Sequence, residues 1–86
     1  MAGRENILSA NIVSPHIGPG LVLSGKSQNV FGNTFIYPDE QPGIVIKDLK
    51  DSYVHSNLMV RRTGKGTSEI VTLRGTNSGN RIERNL

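Results

Sequence analysis

Cysteine is absent from the 86-residue chain, which excludes a disulfide framework and thiolate metal sites alike. Tryptophan is absent too, and two Phe and two Tyr are the whole aromatic complement, so the core is expected to be aliphatic. No apolar run approaches the ~18 residues of a membrane-spanning helix. Met1 to Asn6 is not followed by the apolar stretch of a secretory signal. Ten Lys and Arg against seven Asp and Glu leave a formal charge of only +3, with the two signs interspersed. Nucleic-acid binding calls for a concentrated basic face, so no nucleic-acid partner is expected, and no membrane partner either. What is abundant is glycine, asparagine and serine, between short bursts of Ile, Val and Leu. That composition indicates an all-β chain of many short strands and argues against a helical bundle.

The bursts recur. Asn6-Ile7-Leu8-Ser9-Ala10-Asn11-Ile12, Gln28-Asn29-Val30-Phe31-Gly32-Asn33-Thr34, Ser52-Tyr53-Val54-His55-Ser56-Asn57-Leu58 and Asn80-Arg81-Ile82-Glu83-Arg84-Asn85-Leu86 share one pattern. Each sets an aliphatic residue (Leu8, Val30, Val54, Ile82) three positions before an Asn. A small residue precedes the Asn in the first three, and Arg84 does in the fourth. A second strand recurs between them as Leu21-Val22-Leu23, Ile44-Val45-Ile46 and Val71-Thr72-Leu73. The Asn positions lie 22, 24 and 28 residues apart. That interval suits one coil of a β-solenoid and is too long for hairpins.

Stacking the coils puts Leu8, Val30, Val54 and Ile82 in one inward column and Leu23, Ile46 and Leu73 in another. Each buried aliphatic contributes roughly 1.5–3 kcal/mol. Asn11, Asn33, Asn57 and Asn85 are expected at sharp corners, in the left-handed conformation, with their amides bonded into a ladder along the axis. Val22, Val45 and Thr72 face outward, as a subunit contact or as plain strand propensity.

Gly43-Ile44-Val45-Ile46 with Asn57, and Leu73 with Asn80 to Leu86, resemble the degenerate repeat of right-handed parallel β-helix proteins. That superfamily includes pectate lyases, polygalacturonases, alginate epimerases, inulin fructotransferases and phage tailspikes. The likeness covers nearly the whole chain from Glu5, with residues 1–4 as an N-terminal extension and 5–86 as about three coils. It implies a module of a carbohydrate-active protein that binds or processes extracellular polysaccharide, or alternatively a structural shaft with no catalytic role. An enzyme of this kind would be a polysaccharide lyase or glycoside hydrolase, outside the cell, on its surface or on a virion. Trimeric packing is plausible for tailspike-like helices. The strand pattern stops at Leu86 without a polar cap, so the chain is expected to be a piece of a longer helix or completed by another subunit.

Chemistry is expected on the loops that follow each Asn corner. Counted from their own Asn, these bring His16, Tyr37, Asp39, Glu40, Arg61 and Arg62 to one edge. Arg61 and Arg62 would pair with a sugar carboxylate, Tyr37 would stack on a sugar face, and Asp39, Glu40 or His16 would move protons. The competing reading is that these are solvated loop residues, paired with one another for little stability. Ser14-Pro15-His16-Ile17 resembles the Asp-Pro-His-Glu motif of alginate epimerases only in its central two residues, so their catalysis does not carry over. No cofactor and no metal site is expected, because neither His16 nor His55 is accompanied by a carboxylate cluster. Gly64-Lys65-Gly66-Thr67 lacks the upstream glycine of a phosphate-binding loop and reads as a turn.

Overall fold

A computed structural model describes residues 1–15, 17–66 and 69–86. Ten strands and no helix occur among them: β1 (Ile7–Ser9), β2 (Ile12–Val13), β3 (Leu21–Lys26), β4 (Asn29–Phe31) and β5 (Thr34–Tyr37), then β6 (Ile44–Lys50), β7 (Tyr53–His55), β8 (Leu58–Arg61), β9 (Val71–Arg74) and β10 (Arg81–Glu83). They form three parallel sheets, ordered β1-β4-β7-β10, β2-β5-β8 and β3-β6-β9. Each sheet takes one strand from each coil, so the chain is a β-solenoid of about three turns. Register follows the repeat: Leu8, Val30, Val54 and Ile82 are successive partners, as are Leu23, Ile46 and Leu73.

The core is less aliphatic than the composition suggests. Val13, Phe35 and Met59 are successive partners in the sheet β2-β5-β8, and both Phe35 and Tyr37 are fully buried. They are the two largest side chains in the interior, beside Leu23, Ile44, Ile46 and Leu49. Burial is deepest in the middle coil. Leu73, on the last coil, keeps 60% of its surface.

Two tight corners turn each coil. At the first, the left-handed residue is the one before the Asn: Ala10, Gly32, Ser56 and Arg84 have φ of 56°, 67°, 55° and 57°. The Asn itself is not left-handed, which corrects the expected assignment. Its work is done by the side chain. Asn33 Oδ1 accepts from the backbone N–H of Asn11 at 3.0 Å, and Asn57 Oδ1 accepts from that of Asn33 at 3.0 Å. The amides also bond one another, with Asn11 donating to Asn33, Asn33 to Asn57 and Asn57 to Asn85 at 3.3, 3.0 and 2.8 Å. The Nδ2 of Asn33 and of Asn57 reaches a second acceptor as well, the carbonyl of Leu8 and of Val30, and Asn85, at the last rung, donates to that of Val54. A non-glycine residue in this conformation costs about 1–2 kcal/mol, and the ladder offsets it.

The second corner repeats the device with different residues. Glu5, Ser27, Asp51 and Gly79 have φ of 55°, 55°, 51° and 68°. The side chains that follow them form another ladder. Gln28 Oε1 accepts from Asn6 N–H at 3.1 Å, Ser52 Oγ from Gln28 N–H at 2.9 Å, and Asn80 Oδ1 from Ser52 N–H at 3.0 Å. Gln28 and Ser52 are buried in consequence.

Residues 1–4 run beside β3. Ser24 N–H donates to Met1 O at 2.8 Å and Lys26 N–H to Gly3 O at 3.0 Å, and Arg4 pairs in parallel with Lys26. Gly25 must be glycine here, since its φ is 99° and a Cβ would lie 2.1 Å from Gly3 O. The ladder and the end of the stack should respond differently to truncation. Asn57→Ala is expected to cost about 3 kcal/mol by urea denaturation, because it orphans buried groups on two coils, whereas Asn11→Ala at the exposed end should cost about 1 kcal/mol.

Candidate functional site

The loops after the first corner do meet along one edge. Arg62 reaches back two coils to donate to the Pro15 carbonyl, with Ser14 Oγ at 3.4 Å, and its N–H donates to Tyr37 O at 2.8 Å. Asp39 accepts from Thr63 N–H at 2.9 Å through one oxygen and from the Thr63 hydroxyl through the other. Pro38, Asp39, Glu40, Arg62 and Thr63 line an open groove of ≈ 250 Å³.

Most of this edge is engaged in joining coils. The Thr63 hydroxyl and then the Thr63 N–H hold the Asp39 carboxyl below the 3.8 of an ordinary Asp. A carboxyl so held stays ionised at neutral pH and is poorly suited to donate a proton. Arg61 is half-buried, its guanidinium 6.0 Å from the centroid of the Tyr37 ring. Tyr37 is fully buried and offers no face for a sugar, which corrects its expected role. The reason is alternation: Phe35 and Tyr37 point inward from β5, and Thr34 and Ile36 outward. His16 lies outside the described residues. Glu40 is exposed on the groove rim. Among the described residues no three His, Asp or Glu side chains converge as metal ligands.

A second constellation lies on the outer face of the sheet β1-β4-β7-β10. The residues flanking each inward aliphatic stack in two columns, Ile7-Asn29-Tyr53-Arg81 and Ser9-Phe31-His55-Glu83. The rings of Phe31 and His55 stack with centroids 5.4 Å apart and planes 11° from parallel. Tyr53 and His55 are closer still, at 3.8 Å and 24°. Arg81 places its guanidinium 4.8 Å from the Tyr53 centroid and pairs with Glu83 at 3.1 Å. Tyr53 Oη donates to Glu83 Oε1 at 2.6 Å. That bond pushes the phenol up and, from the other side, holds the Glu83 carboxyl down.

Beside Tyr53 a groove of ≈ 380 Å³ runs toward the second corner, with Asn29, Asp51 and Arg81 among its walls. The Asn29 Oδ1 is buried and has no hydrogen-bond partner among the described residues. Three rings with a fixed carboxylate and guanidinium make a surface that can take the apolar face of a pyranose and bond its hydroxyls. The signal was in the sequence: each outward residue is a neighbour of a column aliphatic, so Phe31, Tyr53, His55, Arg81 and Glu83 had to share a face.

The Asp39–Thr63 tie has a pH signature. A folded-state carboxyl below its unfolded value adds stability that is full above about pH 3.8 and is lost as pH falls through the lower, folded value. Thr63→Val removes the hydroxyl donor. Melting temperature measured from about pH 6 down to about pH 2 should fall less steeply in that variant than in the parent. Equal slopes would mean the tie is not formed in solution. Comparison with protein-family models, with curated proteins and with solved structures finds no match to this chain.

Proposed function

We propose that the chain is a saccharide-binding module of the right-handed parallel β-helix kind, presented outside the cell, on its surface or on a virion. The observation that carries the reading is the outer face of β4, β7 and β10, where Phe31, Tyr53 and His55 stack beside the Arg81–Glu83 pair. Aromatic rings give a sugar an apolar platform, and a paired carboxylate and guanidinium give its hydroxyls both acceptor and donor. Recognition fits this site better than turnover. Asp39 and Glu83 are both held toward their ionised forms, whereas a general acid needs a raised pKa.

The structural-shaft reading has an observation of its own: Asp39, Thr63 and Arg62 tie one coil to another. The two are separated by a glycan array probed with the parent chain, Tyr53→Ala and the combined Asp39, Glu40, Arg61 and Arg62 alanine variant. Saccharide binding by the parent, a loss of about tenfold or more in Tyr53→Ala with unchanged circular dichroism, and retention in the loop variant are expected. Absence of saccharide binding, or binding indifferent to Tyr53, gives the shaft reading.

A further inference from the structure

The outer face of the third sheet, β3-β6-β9, carries a different chemistry. Arg4, Lys26 and Lys50 are successive partners along the axis at its second-corner edge, and Lys47 partners Arg74 one step inward. All five are exposed, and none of their side chains makes an ion pair or a hydrogen bond among the described residues. Like charges on adjacent ladder positions repel, and strands stacked ~4.8 Å apart hold them there.

The acidic residues among them do not cancel the column evenly. Asp48 Oδ1 accepts from Thr76 N–H at 2.8 Å, one coil on. The Asp51 carboxylate lies against Gly79, where a Cβ would stand 2.3 Å from its Oδ1. Both carboxylates are therefore drawn toward the next coil. Glu5 follows Arg4 at the corner.

Beside the cations a groove of ≈ 320 Å³ has an apolar floor of Val22 and Val45, with Pro19 and Pro42 also among its walls and Lys47 and Arg74 at its polar end. We infer that this face is a second binding site, for a linear polysaccharide bearing carboxylate or sulfate groups, laid along the solenoid axis so that its anions meet successive coils. The carbohydrate identity of the ligand rests on the saccharide reading above; the polyanion requirement does not. Among the described residues the outer positions of this sheet hold no aromatic ring, which single-stranded nucleic acid uses to stack its bases. Val22 and Val45 suit the apolar faces of sugar rings, and the cation column suits a repeat of one charge per unit.

Four probes are titrated calorimetrically into the intact chain: a sulfated heparin oligosaccharide, an oligouronate of equal length, a neutral oligosaccharide taken from the array, and an oligothymidylate. The parent is expected to bind at least one anionic glycan, with affinity falling about tenfold between about 50 and about 300 mM salt. The heparin and oligouronate arms tell sulfate from carboxylate. Replacing Lys26, Lys50 and Arg74 together by Gln should lower that affinity about tenfold or more and leave neutral-glycan binding unchanged. Tyr53→Ala should do the reverse, so each site fails separately. Anionic-glycan affinity within about twofold of the parent in the Gln variant overturns the inference, as does oligothymidylate binding as tight as the glycans through the same residues.

Discussion

Every feature of this molecule depends on one hydrogen bond made repeatedly: a corner side chain accepts the backbone N–H of the equivalent residue one coil away. The N–H belongs to a residue at a sharp turn, where it has no strand partner of its own, and a buried unpaired donor costs about 1–3 kcal/mol. At the first corner the acceptor is always Asn. The Asn amide accepts through Oδ1 and donates from Nδ2 to the next amide, so the ladder from Asn11 to Asn85 is unbroken. At the second corner the donor is kept but turned to backbone carbonyls: Gln28 Nε2 donates to Gly3 and Ser24, Ser52 Oγ to Lys50 and Asn80 Nδ2 to Leu49. Gln28, Ser52 and Asn80 do not bond one another side chain to side chain; what they share is an oxygen that accepts the N–H one coil back.

Locking both corners frees the rest of the coil to vary. Successive Asn are 22, 24 and 28 residues apart, and both ladders keep those same intervals. The longest interval is taken up in the segments between β8 and β9 and between β9 and β10, which leaves β9 and β10 in register with β6 and β7. The pairing of β3 with β6 absorbs a register shift between Leu23 and Gly25. Register then acts on the outside as it does on the inside. Whatever side chain occupies an outer position is set beside its equivalent one coil away. Rings placed so attract, as Phe31 and His55 do, and cations placed so repel, as Lys26 and Lys50 do.

The same lock explains what could be read from the residues alone. The first corner was legible because its chemistry permits so little substitution that Asn recurs four times. The aliphatic columns were legible because strand alternation is rigid. The second corner was not, since Gln28, Ser52 and Asn80 do not resemble one another as letters. Nor was the left-handed residue: Ala10, Gly32 and Ser56 share only small size and Arg84 breaks even that, since the ladder beside them carries the cost. Tyr37 was misplaced for a third reason. Its neighbour Pro38 marks a loop, yet β5 continues to Tyr37 and alternation turns the ring inward.

The candidate chemistry divides along the same line. On the loop edge, Asp39 and Arg62 are held by groups of other coils, and their geometry is a by-product of joining those coils. On the outer face of β4, β7 and β10, the Tyr53–Glu83 bond and the Arg81–Glu83 pair hold polar groups beside rings that remain half-exposed. Fixing polar groups in place before a ligand arrives lowers the cost of ordering them on binding. It also removes the freedom to exchange a proton, since the hydrogen bond that orients the Glu83 carboxylate is the one that keeps it ionised. A rigid rung that is good at recognition is, for that reason, a poor proton donor.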